Sequence, residues 1–301
     1  MEIKQLEALV CVAKNLSFSK AAENMYISQP TVSAYISSLE KYLGAQLLIR
    51  NTKEVSLTKA GQVFISYAQK ILSLREQALY SVNGEDRNVK GEIDIISSTI
   101  PAQYLLPEII ASFQKEWPSV FFRVGQADSR QVEQEMCNFR YDFGMVGTIP
   151  DDNRFIHYPV YDDELVLIIP NDTPESPEMI RGNFVDFVTR IPFIMRESGS
   201  GTRAEIESLL LKMDIDSRNL HINACFSDSL SIILSVSRGM GISLISKVAA
   251  AVYVKAGLLK AVEMNSLLFH RKIHLLYNKE LWLSPMQKAF AAHVRQYYCI
   301  N

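Results

Sequence analysis

The fold of the N-terminal region is decided by one stretch, Ser28-Gln29-Pro30-Thr31-Val32-Ser33-Ala34-Tyr35-Ile36-Ser37. A serine followed closely by a proline is a typical helix start, because the hydroxyl caps a free backbone N–H and proline has no N–H to leave unpaired. Val32 and Ile36 are four residues apart and therefore share the buried face. Gly44 tolerates the left-handed conformation that ends many helices. We therefore predict a helix from Ser28 to about Gly44.

Two further helices are predicted before this one, and two strands after it. Apolar residues recur at helical spacing over residues 3–14. A short helix runs from Phe18 to Met25, and Tyr26-Ile27 makes the turn into the next helix. The strands, separated by a polar and partly basic hairpin tip, are Leu47–Ile49 and Val55–Leu57. This order of elements predicts a winged helix-turn-helix.

In such a fold the second of the paired helices enters the DNA major groove with its N-terminal residues at the base edges. An amide can pair bidentately with adenine, hydroxyls serve several bases, and basic wing residues suit phosphates. Plain solvent exposure is the alternative for any one side chain, but the ordered block as a whole favours DNA contact. The predicted DNA-binding residues are Ser28, Gln29, Pro30, Thr31, Ser33, Tyr35, Ser37, Arg50 and Lys53.

The distribution of charge agrees with this prediction, although the net charge of -2 does not suggest it. Residues 1–90 hold 11 basic and 8 acidic side chains, so this part carries +3 and the remainder -5. A mildly basic head on an acidic body is typical of a protein that binds DNA at one end.

A long helix is predicted from Thr58 to about Gly84, roughly 40 Å at 1.5 Å per residue. Nothing nearby in the sequence covers its apolar stripe, so a second copy of the chain is the favoured partner, and packing on the protein's own domains is the alternative. The charged segment from Gly84 to Gly91 is predicted to be a hinge. The stripe consists of Val63, Phe64, Tyr67, Ile71, Leu74, Ala78 and Val82.

After Gly91 the pattern changes to strands that alternate with helices. Strands are predicted at Ile93–Ser97, Val120–Val124, Phe143–Val146, Leu165–Ile169, Phe193–Met195, Ile222–Phe226, Ile242–Ile245 and Ile273–Tyr277. Helices are predicted at Gln103–Lys115, Ser129–Asn138, Thr202–Leu211, Ser229–Arg238, Lys247–Lys255 and Pro285–Tyr297. Such alternation predicts a mostly parallel, doubly wound α/β architecture.

Several ordered stretches of the first 61 residues form a specific combination, namely Leu16-Ser17-Phe18-Ser19-Lys20-Ala21-Ala22, Ser28-Gln29-Pro30-Thr31-Val32-Ser33, Ile36 with Leu39-Glu40, Leu43-Gly44, and Leu57-Thr58-Lys59-Ala60-Gly61. Through them the region from Met1 to Gly61 closely resembles the DNA-binding domain of LysR-type transcriptional regulators. Ala34 stands where that family often has a basic residue, and Leu48 replaces the usual Phe before Arg50, a core change that should be tolerated.

Residues 91–301 resemble the effector domain of the same family, which has two lobes like a periplasmic binding protein. The resemblance implies a DNA-binding domain at 1–58, a linker and dimerisation helix with its hinge at 59–90, and an effector domain at 91–301. It places lobe I at 91–162 and 268–301 and lobe II at 163–267, with crossings near Tyr161–Glu164 and Asn265–Phe269. The implied partners are double-stranded DNA, a small effector, and further copies of the chain in a homodimer through the linker helix or a homotetramer.

Three segments at strand-to-helix junctions are predicted to bind the effector, namely Ser97–Pro101, Arg196–Arg203 and Ser227–Ser229. Each offers hydroxyls and unpaired N–H groups at a helix N-terminus, which suit an anion, and Gly199 and Gly201 let the backbone approach a ligand closely. For Ser198 and Thr202 plain helix capping is an equal alternative, and Asp228 fits an anion site only if it caps its helix or binds a donor on the ligand. Gly147 and Thr148 are added by the resemblance. The predicted residues are Ser98, Thr99, Ile100, Gly147, Thr148, Ser198, Gly199, Ser200, Thr202 and Asp228. These loops also resemble those of members that govern sulfur or selenium oxyanion metabolism.

Two other classes of function find little support in the sequence. An enzyme would need a nucleophile with a base, a metal cluster or a cofactor fingerprint, and the sequence has no GxSxG, complete P-loop or HExxH pattern. A plain solute-binding protein is opposed by the predicted helix-turn-helix and by an N-terminus unlike a signal peptide. We therefore expect a cytoplasmic regulator without catalytic residues, metal, cofactor or membrane partner.

Overall fold

The computed structural model describes residues 1–50, 55–83, 91–150, 152–264, 266–281 and 283–298. The helices are α1 Ile3–Asn15, α2 Phe18–Asn24, α3 Gln29–Leu43, α4 Lys59–Asn83, α5 Leu106–Glu116, α6 Ser129–Cys137, α7 Pro177–Gly182, α8 Phe184–Arg190, α9 Gly201–Lys212, α10 Ser229–Ser237, α11 Lys247–Lys255 and α12 Pro285–Tyr297. The strands are β1 Leu48–Arg50, β2 Val55–Leu57, β3 Gly91–Ser97, β4 Val120–Gln126, β5 Phe143–Val146, β6 Phe155–Pro170, β7 Phe193–Arg196, β8 Ile222–Phe226, β9 Ser243–Ser246, β10 Leu259–Val262 and β11 His270–Asn278.

The head, which comprises α1 to α3 with β1 and β2, folds as predicted. Ser28 caps α3, Pro30 lies in its first turn, and Gly44 ends it with a φ of 67°. The two short strands pair antiparallel, with Leu48 opposite Leu57. Val32 and Ile36 are fully buried in a core that α1, α2 and the first turns of α4 also enter. The predicted winged helix-turn-helix is therefore confirmed for the described residues, and the hairpin tip at 51–54 lies outside them.

The linker helix α4 uses its two faces differently. Ile65 and Ala68 are buried in the core of the head. Val63, Tyr67 and Leu74 are 63%, 55% and 58% exposed. Ile65 and Ala68 lie outside the predicted stripe, of which Phe64 and Ile71 pack partly against the head. Packing on the chain's own head therefore covers only part of the stripe. The predicted hinge, Gly84 to Gly91, lies almost entirely outside the described residues.

One 16-residue strand, β6, belongs to both lobes. Its first part, up to Glu164, pairs with β11, and from Leu165 onward it pairs with β9 and β10. In lobe I the strand order continues through β11, β5, β3 and β4. In lobe II, β7 and β8 form a parallel pair, and Phe193 bridges to Ile242 beside β9. The two lobes are thus joined at a strand that passes directly from one sheet to the other.

The α/β class of the second region is confirmed, but the prediction of a mostly parallel sheet is wrong. β3 pairs in parallel with β4 and β5, whereas β6 and β11 run antiparallel to all the strands beside them. The physical reason is the crossing. A strand that leaves one lobe to enter the other, and a second strand that returns, must run in opposite directions through the junction.

Candidate functional site

The exposed start of α3 forms the candidate DNA-contact surface. Ser28 Oγ accepts a hydrogen bond from the backbone N–H of Thr31 at 3.3 Å, and the two hydroxyl oxygens lie 2.8 Å apart. Gln29 and Pro30 are exposed. Because Val32 is completely buried on the opposite side, the outward direction of this first turn is fixed. An amide and a capping hydroxyl therefore stand together on an open helix end that can reach base edges.

The other predicted DNA-binding residues differ in how far their side chains are exposed. Ser37 is exposed, whereas Ser33 and Tyr35 are half-buried, and Tyr35 packs against the core of the head. Arg50 ends β1 opposite Val55. Lys53 lies outside the described residues.

Tyr26 is a candidate that the sequence analysis did not select. It is 96% exposed and has a φ of 54° in the turn between α2 and α3. Its sequence neighbourhood predicted a turn, but nothing in the pattern indicated that a large aromatic side chain would project from it. An exposed tyrosine beside the start of α3 is well placed to contact a DNA backbone.

The candidate effector cleft lies where the strand ends of lobe I face the N-terminus of α9 in lobe II. The cavity holds only about 20 Å³, room for about one water molecule. The cleft is therefore nearly filled by its own side chains, and a polyatomic ligand needs more room than this arrangement of the lobes leaves. Its lining residues are Ser98, Thr99, Ile100, Ala127, Asp128, Ser129, Gly147, Arg196, Ser200, Gly201, Thr202, Arg271 and Ile273.

Arg271, on β11, fastens the two lobes together inside the cleft. Its side chain is 4% exposed, and its Nε and Nη2 donate to Asp163 Oδ2 at 2.9 and 2.8 Å. The other oxygen of Asp163 accepts from Ser246 Oγ at 2.5 Å. Arg271 Nη1 donates across the cleft to Thr202 Oγ1 at 3.1 Å. The carboxylate of Asp163 thus holds the guanidinium of Arg271 so that its Nη1 points to the N-terminus of α9.

Arg196, at the end of β7, makes a second cross-lobe bond in the opposite direction. Its side chain is 3% exposed and pairs with Glu197, with 2.9 Å between Nη2 and Oε1. Nη2 also donates to Thr99 Oγ1 of lobe I at 3.4 Å, and Nη1 donates to Ser229 Oγ at 3.4 Å. Two buried guanidinium groups, one from each lobe, therefore converge on the same cleft.

Two hydroxyls in the cleft are buried and have no hydrogen-bond partner among the described residues, namely Ser129 Oγ and Thr148 Oγ1. Both face Gly201. A Cβ on this glycine would lie 2.6 Å from Ser129 Oγ and 2.9 Å from Thr148 Oγ1. Buried hydroxyls are normally bonded, so unpaired ones at a glycine mark a position where a ligand or a water completes the bonding.

The structure brings together six of the ten predicted effector residues as lining of the cleft: Ser98, Thr99, Ile100, Gly147, Ser200 and Thr202. Thr148 adjoins them through Gly201. Ser198 and Gly199 lie outside the lining, although a Cβ on Gly199 would lie 3.4 Å from Asp128 of lobe I. Asp228 does not line the cleft either, because its carboxylate caps α10 by accepting from the N–H and the hydroxyl of Ser231, both at 2.8 Å.

Five polar or permissive lining residues are not among those predicted, namely Asp128, Ser129, Arg196, Gly201 and Arg271. Arg196 and Gly201 belong to the predicted segment Arg196–Arg203, whose glycines indicate a close approach of backbone to ligand, but no local feature distinguishes Arg196 as a lining residue. Ser129 follows β4 at a strand-to-helix junction of the same kind as the three selected, so that signal was available. Arg271 had no signal, because its partners Asp163 and Thr202 are 108 and 69 residues away.

A winged helix-turn-helix joined to a two-lobed domain with a polar cleft defines a DNA-binding protein under small-molecule control. Residues 3–62 match the model of the family described as "Bacterial regulatory helix-turn-helix protein, lysR family", and residues 86–298 match "LysR substrate binding domain". The chain therefore belongs to the LysR family of transcriptional regulators, proteins that bind DNA and small effectors and are not enzymes. The finer domain and lobe boundaries stay predictions.

Similar proteins match this chain over most or all of its length. An uncharacterized HTH-type transcriptional regulator of Methanocaldococcus jannaschii is 32% identical over 279 residues, which cover 92% of this chain and 93% of that protein. Full-length OxyR from Pseudomonas aeruginosa is 18% identical with a TM-score of 0.76, covering 98% of this chain and 95% of the other. The Synechocystis CcmR regulatory domain in complex with 2-PG is 20% identical with a TM-score of 0.62, covering 70% of this chain and 98% of the other. The fold of both lobes is therefore that of LysR regulators.

Within the described part of the chain, none of the helices has both the length and the apolar character that a membrane crossing requires.

Proposed function

We propose that this regulator is controlled by a small anion that binds between the lobes, at the N-terminus of α9. The observation that carries the proposal is the convergence of two buried guanidinium groups, Arg196 and Arg271, with the unpaired hydroxyls of Ser129 and Thr148. Guanidinium forks and first-turn N–H groups recognise carboxylates and tetrahedral oxyanions. The 2-PG complex of the CcmR domain supports a small ligand in this type of domain.

The arginines are already paired with carboxylates, so the anion is expected to replace weaker partners. Arg271 keeps Asp163, and its Nη1 exchanges the Thr202 hydroxyl for a ligand oxygen. Arg196 likewise exchanges the long 3.4 Å contact with Thr99. Binding therefore breaks both cross-lobe bonds, and the lobes separate enough to admit the ligand. The ligand thus selects a more open arrangement of the lobes.

Within this class a sulfur or selenium oxyanion is one candidate, favoured by the number of hydroxyls around the cleft. The protein acts on chromosomal DNA in this proposal, and we accordingly propose a cytoplasmic location.

The proposal is tested by titrating the full-length protein with sulfate, selenate, inorganic phosphate, shikimate and 2-PG, and with glycerol as a neutral probe. An anion that binds the folded state raises the unfolding temperature, by the equivalent of about 2.7 kcal/mol at 100 times its Kd. Arg271→Met should weaken that anion at least about tenfold, because it removes a charge-assisted hydrogen bond. Lys272→Met, at the exposed neighbouring position, is the matched control.

Because Arg271→Met also leaves Asp163 without its partner, Gly201→Ala serves as a second variant. Its methyl group fills the space beside Ser129 and Thr148 without changing any charge. Loss of anion binding in both variants, with binding kept in Lys272→Met, is the expected pattern. Equal binding by all three variants, or stabilisation by glycerol alone, would contradict the proposal.

A further inference from the structure

Lys14, in the last turn of α1, extends from the head into an acidic recess of lobe I. Its Nζ lies 2.7 Å from Asp94 Oδ2 and 3.7 Å from Asp142 Oδ1. The two carboxylate side chains are only 6% and 9% exposed. Burial opposes the charge on Lys14, yet the attraction of Asp142 and Asp94 raises its pKa above the ordinary value, so the ammonium group stays charged.

The two carboxylates are held rigidly by lobe I. Asp142 Oδ2 accepts from the backbone N–H of Asp94 at 2.9 Å, and the N–H of Asp142 donates to the backbone oxygen of Asp94 at 2.8 Å. Asp94 Oδ1 also accepts from Arg123 Nη1 at 2.7 Å. Lys14, Asp94, Arg123 and Asp142 therefore form one ionic cluster, which we name the head–lobe joint.

The three lobe I members of the joint lie on or beside adjacent parallel strands. Asp94 is in β3, which pairs with β4 and with β5, and Arg123 is directly opposite it in β4. Asp142 immediately precedes β5. The joint thus gathers one residue from the middle of β3, one from the middle of β4 and one from the position just before β5.

The residues that follow the carboxyl ends of the same strands line the effector cleft. β3 is followed by Ser98 and Thr99, β4 by Ala127 to Ser129, and β5 by Gly147. The separation along a strand is four to six residues, about 13–20 Å at 3.3 Å per residue. Because β5 and most of β3 are buried, and packed interiors have low compressibility, a displacement at one end of this unit is felt at the other.

On the head side, Lys14 is attached to the helix that supports the DNA-contact surface. Leu6, Leu9 and Val12 of α1 are buried in the same core as Val32 and Ile36 of α3. A shift of α1 therefore moves α3 with it. The charges, the three strands and this shared core form one series of contacts from the cleft to the start of α3.

We propose that the head–lobe joint couples the effector cleft to the DNA-contact helix, by carrying movements of the strand ends of lobe I to α1 and α3. The inference rests on the proposed function only in taking this cleft as the effector site. Coupling requires one shared element whose arrangement both sites bias, and in this proposal the three strands together with the joint are that element.

The test disturbs the cleft and measures the response at α1 by hydrogen–deuterium exchange in the full-length chain. Gly201→Val forces Ser129 and Thr148 to move, since even its Cβ would lie 2.6 and 2.9 Å from their hydroxyls. The joint is broken with Lys14→Met combined with Asp142→Asn, because the single change would leave buried carboxylates uncompensated and could unfold the lobe. Lys4→Met, at an exposed position of the same helix, is the matched control.

In the otherwise unchanged chain and in the Lys4→Met background, Gly201→Val is expected to change the exchange rate of residues 10–16 about fivefold or more. A factor of about five is at the low end of the range typical of allosteric coupling. In the chain without the joint the change should stay below about twofold. The proposal is overturned if Gly201→Val changes the exchange rate at α1 equally in all three backgrounds. It is also overturned if Gly201→Val leaves that rate unchanged in the chain whose joint is intact. The exchange measurement needs neither DNA nor an effector. A failure of the anion proposal would therefore appear in the anion titrations and not in the exchange rates.

Discussion

Gln29 is the side chain at the start of α3 best suited to base recognition, since it is exposed and its amide can pair with one base edge through two bonds. Gln29→Ala should lower affinity for the specific operator by about 1–3 kcal/mol. Non-specific binding should persist with its salt dependence, because phosphate contacts are untouched. Gel shifts with the DNA upstream of the protein's own gene and with a scrambled duplex, at stated salt, measure both.

The control for Gln29 is Gln62→Ala, a substitution of the same residue type at an exposed position of α4. An equal loss of specific and non-specific binding in Gln29→Ala would show that Gln29 contacts no base.

His274 is a residue whose role only its surroundings reveal. It is 7% exposed, and its Nδ1 has no hydrogen-bond partner among the described residues. Burial first, and then the nearby charges of His157 and Lys272, lower its pKa from 6.5 to about 4. Between these two pH values the unfolded chain binds a proton that the folded chain does not. The contribution of neutral His274 is therefore complete above pH 6.5 and is lost as the pH falls toward 4, by up to about 3 kcal/mol.

His274→Gln should accordingly reduce the loss of stability between pH 7 and pH 5, measured by urea denaturation at each pH. His221→Gln, at an exposed position, should leave that loss as it is in the unaltered protein. If the two variants respond to pH alike, His274 is not the group responsible.

At the scale of elements, Gly61 fixes how the linker helix meets the wing. Thr58 Oγ1 accepts from the N–H of Gly61 at 2.9 Å and donates to the backbone oxygen of Gln46 at 2.7 Å. A Cβ on Gly61 would collide with the backbone oxygen of Leu47, at the start of the wing. Only glycine lets the first turn of α4 approach the chain this closely.

Gly61→Ala should therefore lower the free energy of unfolding by about 3 kcal/mol. This is the upper end of the range typical of overpacking substitutions, because a backbone oxygen cannot move aside as a side chain can. Gly182→Ala, where a Cβ would meet nothing within 4 Å, should change it by no more than about 1 kcal/mol. Urea denaturation of both variants measures the difference. Equal stability of the two would refute the close approach.

Elements with strong local signals were predicted well from the sequence. Ser28 and Gly44 bound α3, and α9, α10 and α12 begin within one residue of prediction, because caps and periodicity act within a few residues. The first part of β6 and the helices α7 and α8 were not predicted. In that part of β6 only Phe155, Val160 and Asp163 are buried, so it lacks the two-residue alternation that indicates a strand. The two helices have only 6 and 7 residues, too short to display a period.

At the scale of the whole molecule, the exposed face of α4 predicts self-association. Val63, Tyr67, Leu74 and Val82 are each more than half exposed and lie along one helix. Leu74→Glu places a charge in this face and should weaken the dimer at least about tenfold, equivalent to about 1.4 kcal/mol. Sedimentation velocity over a range of protein concentrations measures the dissociation.

Val252→Glu is the matched control, since Val252 is 67% exposed on α11, away from the linker. A dimer that survives Leu74→Glu and dissociates in Val252→Glu would place the interface on the effector domain instead.

By itself the sequence determined the head, the class of the effector domain and six of the residues that line its cleft. These features are indicated by capping residues, helical periods and strand-to-helix junctions, and each of these signals is confined to one segment of the chain. Only the tertiary structure decided that Arg271 aims at Thr202, that Arg196 reaches Thr99, and that Lys14 is held by Asp94. In those contacts the partners are 69, 97 and 80 residues apart. Their meeting depends on strand order and on the passage of β6 between the sheets, which no local pattern encodes.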